Sequence, residues 1–275
     1  MVLESLRSAV SGLSHFSHWL PGIASGLFAA SFVLLQYYSG LFLAERIWIL
    51  EMVVFPFFVA GLMYQVNIGQ HTLGSFFSGG VSFYFRVLLP SLVVFFGVLL
   101  TLFLLMIPLM ALGLAETALV FMVFSVSVSV LFFTFFYDAA AVFEGRKVFD
   151  SIRRSVEFVL RQTHACLIFY LVSLAIGCII FFGTMIIWTA LLYDRLESIA
   201  TMSTADLQNF TFEQFNFLLG ADGILISAVL LFIALTVTVS VIYGFKACFF
   251  RDSAETEPVE ISLGEYDQKG RWFKY

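Results

Sequence analysis

The chain has 275 residues, of which 61% are hydrophobic and 12% charged, with a formal net charge of −5. An ordinary soluble domain is roughly a quarter charged, so a soluble globular fold is all but excluded. A disordered chain, a disulfide-framework mini-protein and a basic nucleic-acid binder are excluded outright. What remains is a multi-spanning membrane protein, with 35 phenylalanines and a mean hydropathy of +0.99.

Residues 1–21 are rich in Ser and His, carry Arg7 as their one basic residue, and lack the uninterrupted apolar core of a signal peptide. Six stretches then reach the roughly 20 apolar residues that a spanning helix needs: Gly22 to Leu43, Ile47 to Val66, Val87 to Leu112, Thr117 to Tyr137, Ala165 to Leu192 and Gly223 to Phe245. Hydrocarbon offers backbone amides no partner, so such stretches must be helical. Two-residue alternation is absent, which argues against a membrane barrel. The predicted fold is an all-α bundle of six transmembrane helices over residues 1–250, followed by a polar tail at 251–275.

An even number of crossings puts both termini on one side. Twelve Lys and Arg residues fall on that side, and two, Arg46 and Arg195, on the other. The positive-inside rule therefore predicts cytoplasmic termini. The outer turns at Ala44-Glu45-Arg46 and Gly113 to Glu116 are short and predict tight hairpins. The outer loop from Tyr193 to Asp222 is long and acidic. Within it Ser203 and Asp206 resemble a capping box. Leu207, Phe210 and Phe217, with Phe212, Phe215 and Leu219, recur at helical spacing and predict a helix on the outer interface or capping the bundle. Asn209-Phe-Thr211 is a glycosylation sequon there.

The inner segments 70–86 and 146–161 align with one gap: Leu73 with Phe149, Ser75 with Ser151, Phe83 with Phe158 and Arg86 with Arg161. Ser5 occupies the same place in the N-terminal stretch. The unit implied is an amphipathic helix followed by a transmembrane hairpin, repeated three times. Convergent patterning of helices at the inner interface accounts for it equally well.

Candidate polar sites are few. Glu51 lies one turn inside the second stretch, where an interfacial carboxylate reaching water is expected in preference to a hydrogen bond with Gln36 in the first. Asp138 and Glu144 precede the basic segment, and pairing with Arg153 or Arg154 would pin that segment beneath the bundle. Gly22, Gly26 and Ala30, and Ser125 with Ser129, have the small-xxx-small spacing of close helix packing. His15 and His18 share an amphipathic segment, while His71 and His164 each stand alone, so neither a metal nor a cofactor is expected. The three cysteines lie in apolar runs and read as small hydrophobes. Pro56, Pro90 and Pro108 are expected to kink or start helices. No P-loop, GxGxxG, GxSxG or HExxH occurs.

The stretch Tyr137-Asp138-Ala-Ala-Ala-Val-Phe-Glu144-Gly145-Arg-Lys-Val-Phe-Asp-Ser151-Ile-Arg-Arg-Ser155 resembles a signature of poorly characterised prokaryotic, largely archaeal, six-helix integral membrane proteins. That group is similar to the membrane domain attached to some glycerophosphodiester phosphodiesterases. There an acidic residue ends the fourth helix, a Glu-Gly turn follows, and an amphipathic helix with paired serines precedes the fifth. The resemblance covers about residues 60–250 and implies fold, topology and a prokaryotic plasma membrane. It implies no catalytic residues, because the phosphodiesterase chemistry of the fused proteins belongs to a separate soluble domain.

The function expected on these grounds is a non-enzymatic structural or partner-binding membrane component. Its partners are membrane lipids, with another membrane protein or a second copy of the chain. The alternative is a transporter or channel for an apolar or lipid-like solute. A membrane enzyme ranks third, with Glu51 and Glu116 as its outer-side groups.

Overall fold

Runs of Leu, Ile, Val and Phe unbroken by charge leave the backbone no solvent, so each closes its own hydrogen bonds as a helix. In the computed structural model, which describes residues 2–111, 113, 116–202, 210–255, 265–266 and 272–273, this yields ten α-helices. They are α1 (Val2–Gly12), α2 (Leu20–Ser39), α3 (Leu41–Ile68), α4 (Leu73–Ala111), α5 (Glu116–Thr134), α6 (Tyr137–Phe143), α7 (Val148–Arg161), α8 (Thr163–Leu191), α9 (Tyr193–Ala200) and α10 (Phe212–Glu255). A two-residue antiparallel ladder, β1 (Glu265–Tyr266) on β2 (Trp272–Phe273), lies in the tail.

Six segments are long and apolar enough to cross a membrane: Phe16–Ser39, Leu41–Ile68, Leu73–Pro108, Val120–Phe143, Thr163–Leu191 and Glu213–Ala254. The chain is thus an all-α helical bundle with six candidate spans. The first turn is not at Ala44-Glu45-Arg46. Gly40, at φ 83°, makes it in a conformation that costs glycine nothing, and Glu45 and Arg46 fall inside α3. The expected capping box at Ser203 and Asp206, the sequon asparagine and most of the tail lie outside the described residues. A reciprocal cap forms nearby, where the Thr211 amide donates to Gln214 Oε1 and the Gln214 amide donates to Thr211 Oγ1.

The helices α2, α3 and α10 form the packed centre, with α8 beside α10, α4 beside α3, and α5 beside α4. Backbones approach closely at glycine. A Cβ on Gly22 would lie 2.1 Å from the Thr236 carbonyl oxygen, and one on Gly26 would lie 2.6 Å from that of Phe232, both on α10. Gly61 does the same against the Phe76 carbonyl of α4, while Gly79 and Gly80 of α4 leave room for the Tyr64 and Phe57 rings of α3.

The main core sits toward one end, the end that carries α1, α7 and the basic turns. Phe76, Phe136, Phe158, Phe169, Phe245 and Phe249 are all fully buried there. The amphipathic helices pack into this core rather than lying beneath it. On α7 the buried stripe is Ser151, Ser155, Phe158 and Val159, the spacing of one helix face. Ser5 of α1 is buried and donates to Asp252 at 2.6 Å. The equivalent segment before the second hairpin is not separate. It runs unbroken into α4, whose 39 residues extend about 58 Å, nearly twice a hydrocarbon core.

The fourth crossing is broken between α5 and α6. Ser155 on α7 repairs the gap: its hydroxyl donates to the Phe133 carbonyl and accepts from the Phe136 amide. Tyr170 on α8 donates to the Phe132 carbonyl. Broken backbone at membrane depth is tolerated where neighbouring helices satisfy it in this way.

Candidate functional site

The break in the fourth crossing turns Asp138 inward. It is 2% exposed and accepts from its neighbour's amide, Ala139, at 2.7 Å. Its partner is not Arg153 or Arg154. It is Lys246 of α10, whose Nζ donates to Asp138 Oδ2 at 2.6 Å while both side chains are essentially inaccessible. The Lys246 ammonium also lies 4.0 Å from the Phe135 ring centroid and 4.8 Å from that of Tyr243. A charge this deep needs both a counter-ion and ring faces in place of water. The expected basic tether is made by Glu144 alone, which accepts from Arg154 at 2.7 Å and Arg146 at 2.9 Å. Arg153 instead pairs with Glu157 one turn along α7, on an exposed face.

Glu51 lies further into its helix than the one turn expected. Because α3 begins at Leu41, Glu51 is ten residues in and half-buried. It accepts from the Ser25 hydroxyl of α2 at 2.9 Å, while Gln36 lines a different cavity.

Glu51 and Asp138 meet at a cavity of about 290 Å³ between α3, α4, α6 and α10. Phe55 and Val59 of α3 and Val87 of α4 supply apolar wall, and Ser91, Tyr137 and Tyr243 add hydroxyls. Trp48 stands at the rim, 54% exposed. The arrangement is the one expected of a ligand site: mostly apolar walls with a few convergent polar groups.

A second cavity, of about 360 Å³, lies at the opposite end between α2, α8 and α10. It is apolar, lined by Val33, Tyr37, Phe181, Trp188 and Leu230, and roofed by Phe215 and Leu219. The roof is the short helical segment before Gly220, whose φ of 63° bends α10 there. Arg195 fixes the bend by donating to the Leu219 carbonyl and pairing with Asp222 at 3.4 Å.

His71, expected to stand alone, joins His15 and His18 at the basic end. His18 Nε2 and His71 Nδ1 share a hydrogen bond of 2.9 Å, and His15 stacks on His71 with centroids 4.7 Å apart. Burial, then the neighbouring His15 and Arg251, hold His71 below the usual imidazole range. His164 is exposed. Among the described residues no group of three or more His, Cys, Asp or Glu is arranged to hold a metal ion.

Of the small-residue pairs, Gly22 and Gly26 face α10 and Ala30 is half-buried. Ser125 and Ser129 are exposed on the outer face of α5, where no helix covers them among the described residues. Sequence reasoning missed Lys246 as a site residue by counting it among the twelve basic residues of the cytoplasmic side. Its flanks, Tyr-Gly-Phe before and Ala-Cys-Phe-Phe after, carry no second charge and were the available signal. No family model matches the chain, and no curated protein or solved structure is detectably similar to it.

Proposed function

We propose that the chain is a multi-pass membrane protein that takes a lipid-like amphiphile from the bilayer, with the Glu51–Asp138 cavity as the site for its polar group. One observation carries this reading: two carboxylates line an apolar-walled space within the bundle. Ionisable groups at such depth cost about 2.5–3.5 kcal/mol each on insertion scales, so retaining them calls for a role. The apolar cavity between α2, α8 and α10 has the chemistry to hold an acyl chain. The basic end, carrying Arg86, Arg146, Arg154 and Arg161, faces the cytoplasm in this reading.

The test is reconstitution in liposomes containing a headgroup-labelled lipid. Ser91→Phe, which fills the cavity, should abolish exchange of that lipid between leaflets or its retention by the purified protein. Unaltered exchange and retention in the filled variant refute the reading. The other reading, a partner-binding membrane component, draws on the α4–α5 hairpin. Phe96, Phe103, Phe121 and Phe124 there are 60–68% exposed. It predicts stable co-purification with a second membrane protein and no lipid exchange.

A further inference from the structure

The cavity's charge balance identifies what kind of polar group fits it. Lys246 already neutralises Asp138. Among the described residues, Glu51 has the Ser25 hydroxyl and no cationic side chain beside it, and no Lys or Arg lines the cavity. An ionised Glu51 therefore leaves the space one positive charge short.

The walls indicate the form of the missing charge. Trp48, Phe55, Tyr137 and Tyr243 surround the same space as Glu51. Aromatic faces attract ammonium groups, and they favour alkylated ammonium over small hydrated ions because little hydration must be stripped. The protein uses the same combination a few ångströms away, where the Lys246 ammonium is held by one carboxylate and two rings, one of them Tyr243 itself. At about 290 Å³ the space far exceeds the roughly 10–15 Å³ that one water requires, so it admits a group of several heavy atoms.

We propose that this cavity binds an organic ammonium group, with Glu51 as its counter-charge and the four aromatic side chains as its cage. The group comes either from the headgroup of an ethanolamine or choline lipid or from a free organic cation. The proposal rests on the reading of the cavity as a solute site, and it names the chemistry of that solute.

The experiment uses the full chain purified in maltoside detergent. In one arm choline chloride is titrated and binding read by calorimetry, with sodium chloride at equal ionic strength as the blank. In the other the protein is extracted from vesicles of equal phosphatidylethanolamine and phosphatidylglycerol, and retained lipid is identified by native mass spectrometry. Choline binding identifies a free cation as ligand, and selective retention of phosphatidylethanolamine identifies a lipid. In whichever arm binds, Glu51→Gln should weaken binding about tenfold or more. Trp48→Leu should weaken it about two- to fivefold. The Trp48 change lies at an exposed rim and does not threaten the fold. Binding equal in the wild type and both variants overturns the proposal, as does binding in neither arm. Retention of phosphatidylglycerol that Ser91→Phe abolishes, without any ammonium binding, overturns it while sparing the solute-site reading. Loss of every cavity-dependent ligand defeats both.

Discussion

Replacing Lys246 by methionine removes the cation paired with Asp138 while keeping most of the side chain's volume. At 2.6 Å and an effective dielectric constant of 20, the pair's mutual attraction is about 6 kcal/mol. Desolvation costs several kcal/mol for each ion, so the intact pair contributes little net stability. Removing one partner is different, because the other is left charged or forced to change protonation in a site that is about 2–3% exposed. The expected loss for Lys246→Met is about 3–5 kcal/mol. Asp138→Asn keeps the bond from the Ala139 amide and should cost a similar amount by stranding the ammonium. The double variant should recover most of either loss, so the two single losses should together exceed its own by about 5 kcal/mol or more. SDS-induced unfolding in mixed micelles, followed by tryptophan fluorescence, measures all four corners of the cycle. Two single losses that simply add, within about 0.5 kcal/mol, would refute the buried pair.

Ser155→Ala should destabilise the bundle by about 1–3 kcal/mol in the same assay, because it orphans the Phe133 carbonyl and the Phe136 amide together. Gly22→Ala forces a methyl against the Thr236 carbonyl and should cost about 1–3 kcal/mol. Gly177→Ala, which meets open space, should leave stability unchanged or raise it by up to about 1 kcal/mol. His71 binds its proton less readily folded than unfolded. Its contribution is fully present above about pH 6.5 and is lost as pH falls below that. Unfolding curves at pH 7.5 and 5.5 should therefore show weaker folding in acid, with a shallower dependence in His71→Gln. A wild type strengthened by acid contradicts the assigned sign. An impermeant maleimide should label Arg153→Cys only after cells are permeabilised, and labelling of intact cells would reverse the assigned orientation.

The six candidate spans were legible because span length and apolarity are local properties of sequence. The polar centre was not, because it is assembled from distant residues. Asp138 and Lys246 are 108 positions apart, and His18 and His71 are 53 apart. Counting Lys246 among the cytoplasmic-side charges obeyed the positive-inside rule and still missed its burial, since that rule cannot see an interior counter-ion. Glu51 was placed too near the helix end because the turn was assigned to charged residues rather than to Gly40, which shifted the start of α3 by six positions relative to the expected Ile47. Ser151 and Ser155 looked like a surface rhythm. Both are buried, and the small Ser155 hydroxyl lets α7 press against the gap between α5 and α6.

That gap has a consequence for how the protein is made. When residues 116–143 are synthesised, the groups that mend their interruption are still to come: Ser155 follows by 19–22 positions, and the ammonium for Asp138 by 108 positions. At about 5–20 residues per second, that second wait is roughly 5–20 s. Throughout it Asp138 lacks the ammonium it pairs with, and a message cut short before codon 246 would yield a product with that acid stranded.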